Sequence, residues 1–181
     1  MILAILQARM SSTRLPGKVL RPLAGALEAM GPAEHMMRLT GDCPLLDWGV
    51  IDGVIERHLE TGADYTANTW GKRTFPRGLD ADIVKSEVLI QAAAEATDPY
   101  EREHVLPFIY RRPERYRLEG YAQARDEGEL RWTVDLPEDF DFASAVYDAL
   151  HPANPAFSSD DVRSFLAGRP GLADFGGYRR I

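Results

Sequence analysis

Cysteine is almost missing from this chain: Cys43 is the single one in 181 residues. That excludes an intrachain disulfide framework and suits a reducing compartment. Long apolar runs are missing too, and none approaches the roughly 20 residues of a membrane-spanning helix. The chain opens directly on a strand-like run, with no basic segment and no cleavage site ahead of it, so the expected location is the cytoplasm. A surplus of positive charge is lacking as well. Lys and Arg number 21 against 28 Asp and Glu, for a formal net charge of −7. This balance argues against nucleic acid or an anionic membrane as a main partner. Repeats and an interdomain linker are absent, and the length suits a single domain spanning residues 1–181 with its own core.

What the chain does have is concentrated in its first twenty residues. Ile2, Leu3, Ala4, Ile5 and Leu6 form a continuous apolar run of the length a fully buried strand needs. The chain then turns polar through Gln7, Arg9, Ser11, Ser12, Thr13, Arg14, Pro16, Gly17 and Lys18. In α/β proteins, ligands bind just outside the carboxyl ends of strands. Three cations, Arg9, Arg14 and Lys18, and three hydroxyls suit a polyphosphate there, although three cations alone equally suit a solvated loop. A Walker-type phosphate loop needs glycine five residues before the Gly-Lys pair and Ser or Thr after it. Ser12 and Val19 occupy those places, which excludes that motif.

The string QARMSSTRLPGKVL resembles the signature loop of the sugar-nucleotide cytidylyltransferases, in particular their SpsF-like branch in spore-coat polysaccharide synthesis. The resemblance implies Lys18, Arg9 and Arg14 as catalytic cations. It implies Gln7, Ala8, Ser11, Ser12, Thr13 and Gly17 as nucleotide-binding positions. It further implies a GT-A-like, doubly wound α/β fold, a mixed sheet with helices on both faces. Mg²⁺ is the implied cofactor and CTP the donor, with an acidic sugar such as a 3-deoxy-2-ketoaldonate or nonulosonate as acceptor. A homodimer is the expected assembly.

The remaining chain carries further matching segments. In HMMRLTGDCPLLD a short strand ends at Leu39, and Asp42 lies just beyond it; the segment resembles the family's metal-binding aspartate motif. RWTVDLPEDF resembles the second metal-site segment, with Asp135 as the matching carboxylate. Asp139 is expected to complement a helix N-terminus, and Cys43 to be a packed residue rather than a nucleophile. ANT…RTFPRGLDADI resembles the sugar-side segment, which makes Asn68, Arg73, Gly78 and Asp80 acceptor-site candidates. Arg77 stands there where the family pattern carries an acid, a departure that bears on acceptor preference. YEREHVLPFIYRRP resembles the family's E-R-E-H-V segment and adds Arg102 and His104. Charges at successive helical positions do not share a face, so at most half of Glu101–His104 can point at one site.

Helices are expected over 48–61, 86–96, from Pro99, over 137–150 and up to Ala167, from their caps and apolar spacing. On the first of these Val50, Ile51, Val54, Ile55 and Leu59 form the expected buried face, with His58 off it at the surface. Strands are expected over 116–124 and 130–135, and the Gly-rich tail to Ile181 points to nothing. The interval from Ala24 to Pro32 is short for the family topology by about 30 to 60 residues, since a βαβ unit takes roughly 30 or more. Either the chain truly lacks them or the sequence in hand does not include them, and the second is expected. Two other function classes fit these residues: a nucleotide-sugar-dependent glycosyltransferase, and a non-catalytic nucleotide-binding module.

Overall fold

The opening apolar run forms β1 (Ile2–Gln7), and HMMRLT forms β2 (His35–Thr40) beside it. This computed structural model describes residues 1–7, 31, 33–104 and 106–181, without the side chains of residues 6, 7 and 103. Three further strands, β3 (Tyr65–Ala67), β4 (Ala81–Lys85) and β5 (Leu118–Gly120), complete a five-stranded sheet in the order β1-β2-β4-β3-β5. β1 and β2 run parallel, with Ile2 opposite His35 and Gln7 opposite Thr40. β4 is antiparallel to both of its neighbours, and β5 is parallel to β3. The sheet is therefore mixed, as expected.

β1 is not the fully buried strand its composition suggests. Ile2, Leu3 and Ile5 are half-buried and Ala4 is exposed, because β1 is the outermost strand among the described residues. β3 and β4 are the most buried strands, and at the middle of the sheet Met36, Met37, Ile83 and Val84 send alternate side chains to opposite faces.

Helix α1 (Trp48–Thr61) covers one face, with Val54 against Met37, Ala81 and Ile83. Its start is fixed by Asp47, whose Oδ1 accepts from the Gly49 and Val50 amides at 2.7 and 3.4 Å. Gly62 ends it in the left-handed region at φ 63°, a conformation that favours glycine. The buried stripe is Val50, Val54 and His58 at steps of four, while Leu59 is exposed. The expectation was the reverse for the last two. His58 can be buried because both ring nitrogens are satisfied: Nδ1 lies 2.9 Å from Thr66 Oγ1 and Nε2 lies 3.0 Å from His35 Nδ1.

The other face carries α2 (Ser86–Glu95), α3 (Pro99–His104) and α4 (Pro107–Tyr110). Leu89, Ala92, Phe108 and Ile109 pack there on Met36, Tyr65 and Val84. A third cluster lies to the side. There α5 (Pro137–Leu150) and α6 (Ser159–Ala167) enclose Trp132 and Phe142, both fully buried. A short α7 (Pro170–Ala173) and a 3₁₀ turn (Phe175–Gly177) follow.

Residues 130–135 do not join the main ladder. Arg131 bridges Arg77, and the Arg131 and Val134 amides donate to the distant Arg179 and Asp42 carbonyls. β5 covers only three residues of the expected 116–124 strand.

Candidate active site

The parallel register sets Gln7 opposite Thr40, so the chain leaves β1 at the sheet end where Gly41 and Asp42 follow β2. Ala8, Arg9, Ser11, Ser12, Thr13, Arg14, Gly17 and Lys18 lie outside the described residues, as does the Gln7 side chain.

Asp42 sits in a tight turn in which the Cys43 amide donates to the Thr40 carbonyl at 3.1 Å. Its own carbonyl accepts from the Val134 amide at 2.8 Å and from Thr133 Oγ1 at 3.1 Å. The two acid-bearing segments are thereby stitched together one residue before Asp135. Both carboxylates are exposed. Asp135 Oδ2 accepts from Arg131 Nη2 at 2.8 Å. Beside Asp42 lies a cavity of about 380 Å³ walled by Pro44, Val134, Phe140, Ala143 and Tyr147. Tyr147 donates to the Pro44 carbonyl at 2.7 Å and so closes one side.

Cys43 is buried, and its burial pushes the thiol up to about 12. A thiol protonated at neutral pH is no nucleophile, in keeping with the packed role expected for it.

Asn68 is fully buried and spends its amide on backbone: Nδ2 donates to the Leu79 carbonyl at 2.6 Å and Oδ1 accepts from the Ala81 amide at 3.0 Å. It fixes the entry to β4. Gly78 has φ 108°, and a Cβ there would come within 2.6 Å of the Thr133 nitrogen and the Trp132 carbonyl carbon. Arg73 and Asp80 face each other in a two-bonded fork at 2.6 and 3.0 Å, both partly exposed. On α3, Arg102 donates to the Ala96 carbonyl at 3.1 Å, and the His104 ring lies 4.4 Å from that of Tyr100. Glu101 is buried and takes a two-bonded fork from Arg112 at 2.8 and 3.2 Å. Each of these contacts ties its group to the fold.

Sequence reasoning missed two polar clusters. On the α3–α4 face, Asp82 accepts from Arg38 Nη2 and from the Tyr65 hydroxyl, each at 2.5 Å. Burial and the Asp82 charge hold the Tyr65 hydroxyl well above its usual range. The signal was present: charged residues at central positions of β2 and β4 need partners. The second cluster surrounds Asp139 and is taken up below.

The chain matches the family model described as Cytidylyltransferase over residues 3–27 and 25–159. It is 26% identical to the spore coat polysaccharide biosynthesis protein SpsF of Bacillus subtilis (strain 168). That alignment runs over 238 positions and takes in 95% of this chain and 96% of that protein. Since the chain has 181 residues, at least 57 of those positions have no counterpart in it. The fold is similar to that of a cytidylyltransferase from Leptospira borgpetersenii serovar Hardjo-bovis (strain JB197). The TM-score is 0.83 at 22% identity, over 94% of this chain and 95% of the other.

Proposed function

Because the chain belongs to the cytidylyltransferase family, we propose that it transfers CMP from CTP to an acidic sugar and releases pyrophosphate. The observation that carries this reading is the pair of bonds that the Asp42 carbonyl accepts from the Val134 amide and the Thr133 hydroxyl. They hold two candidate carboxylates at the sheet end where the basic loop departs from β1.

Both carboxylates are exposed, and carboxylates are hard oxygen donors. Among the described residues no cluster of three or more His, Cys, Asp or Glu side chains could hold a metal. Such a sparse oxygen site suits Mg²⁺, which keeps several waters and is completed by substrate phosphates; a closed zinc cage it does not suit. Asp42 and Asp135 would hold the ion, which supplies charge neutralisation at the phosphate oxygens.

Arg9, Arg14 and Lys18 neutralise the triphosphate and stabilise charge growing on the leaving group. A hydroxyl oxygen of the sugar forms a bond to the α-phosphorus, the bond to the α–β bridging oxygen breaks with its electron pair, and the hydroxyl proton passes to solvent. Arg73, Asp80, Arg102 and His104 are proposed to face the acceptor, with Asn68 holding the entry to β4 and Gly78 the close approach to residues 132–133.

The test is pyrophosphate release from a panel of triphosphates and acidic sugars, with and without Mg²⁺. CTP with a ketoaldonate or nonulosonate is expected to react, and Asp42→Asn and Asp135→Asn to abolish most of the turnover. Turnover of a nucleotide sugar without pyrophosphate release would favour a glycosyltransferase. Nucleotide binding without turnover of any pair would favour a binding module.

A further inference from the structure

Asp139 and Arg180 are both fully buried, and the reading above gives neither a role. Asp139 Oδ1 accepts from Arg180 Nη2 at 2.8 Å and from Arg131 Nε at 3.1 Å. Its Oδ2 accepts from Arg131 Nη2 at 2.6 Å and from the amides of Asp135 and Leu136 at 3.0 Å each. Burial works against this carboxylate's charge, but the bonds from Arg131, Arg180 and the two amides outweigh it and hold the group far below its usual range.

Arg180 reaches into the same knot from the other side. Its Nη1 donates to the Arg131 carbonyl at 2.6 Å and its Nε to the Phe175 carbonyl at 3.1 Å. Its carbonyl accepts from the Trp132 indole at 2.8 Å, and the Arg131 amide donates to the Arg179 carbonyl at 2.9 Å. The guanidinium of Arg180 also lies 4.5 Å from the centre of the Phe142 ring.

We propose that Arg180 is a positioning residue for Asp135, acting through Asp139 and Arg131. The inference rests on the role given to Asp135 under the proposed function. A buried ion pair is weak evidence for stability in itself, since apolar residues of similar volume often do as well. What marks this one is where its bonds converge. Asp139 takes two backbone amides at the turn that carries Asp135, and Arg131 divides one nitrogen between Asp139 and Asp135. Arg180 supplies the second positive charge that lets Arg131 serve both acids. Without it, Asp139 draws Arg131 to itself, and Asp135 loses the contact that orients it.

The test is Mn²⁺ binding to the protein–CTP complex, followed by electron paramagnetic resonance, in wild type, Asp135→Asn, Arg180→Lys and Arg180→Met. Residues that support a ligand typically change metal affinity 10- to 100-fold when altered. Mn²⁺ affinity is expected to fall about 10-fold in Arg180→Met and less in Arg180→Lys, with turnover recovering as metal is raised. A purely structural role would lower the unfolding temperature and leave the affinity of folded protein at the wild-type value, which overturns the proposal. Equal affinity in wild type and Asp135→Asn would overturn the role of Asp135, and this inference with it. Should the Arg180 variants not fold, hydrogen exchange of the wild type decides. Mg²⁺ with CTP is expected to slow exchange of the Arg131, Asp135 and Arg180 amides together, and unchanged exchange at Arg180 would refute the idea.

Discussion

His58 owes its neutrality to its surroundings. Burial is the main cause, with the charges of His35 and Lys85 adding to it, and its pKa is pushed down to about 4 from an ordinary 6.5. Asp64, which is paired with Lys85, pulls the other way. Below pH 6.5 the unfolded chain therefore binds a proton that the folded chain refuses until about pH 4. Stability is fully present above 6.5, falls as the pH drops through that window, and levels off below it. The loss should be on the order of 1 to 3 kcal/mol, read from urea unfolding at pH 7.5, 5.5 and 4.5. His58→Gln should flatten most of the slope, leaving a remnant from His35, whose pKa burial also lowers. A slope unchanged in that variant would assign the acid sensitivity elsewhere. A second residue with a distinct signature is Lys18. If its ammonium acts on charge that develops in the transition state, Lys18→Ala should reduce turnover by about 10² to 10³. Nucleotide binding should weaken far less, and the split is read from kcat against the CTP dissociation constant. Normal turnover in the variant would make Lys18 an ordinary loop charge.

Between elements, Gly78 lies tight against residues 132–133. The backbone there needs φ 108° and has no room for a Cβ. Any side chain would push the segment that ends in Asp135. Gly78→Ala should cost about 2 kcal/mol or more in stability, combining strain with the clash, and should lower activity as well. Gly71, at φ 77° with open space around its missing Cβ, is the control. There the substitution meets strain alone and should cost about 1 kcal/mol with activity retained; equal losses at both sites would remove the clash from the explanation. The helices around this contact were legible in the sequence because their signals are local. Asp47 and Gly62 bracket α1, Pro137 opens α5, and Ser158 caps α6 through the Asp161 amide. Residues 130–135 read as a ladder strand from their composition. Their actual partners, Asp42, Arg77 and Arg179, come from three separate parts of the chain. No local pattern records such pairing. Arg180 was hidden for the same reason, since a Gly-rich stretch gives no periodicity that would mark a buried arginine.

At the scale of the whole molecule, Asp42 and Asp135 were picked out by the resemblance of their segments to the family's motifs, and the structure joins those segments through backbone bonds. How the chain reaches from β1 to β2 was not legible. The family topology suggested that a parallel return was impossible without further residues. Yet 27 residues separate Gln7 from His35, and a parallel crossover takes a dozen or more. One crossover fits, whereas a further pair of strands with its own return does not. The family match divides at residues 25–27, and at least 57 aligned positions of the Bacillus protein lack a counterpart. The interval is thus shorter in this sequence than in that relative, and among the described residues β1 is the outer strand of the sheet. Edge strands leave alternate amides without a ladder partner, so the outward amides of β1 should exchange with solvent much faster than those of β4, which has a strand on each side. β1 amides protected as well as those of β4 would mean that further residues pair with this edge.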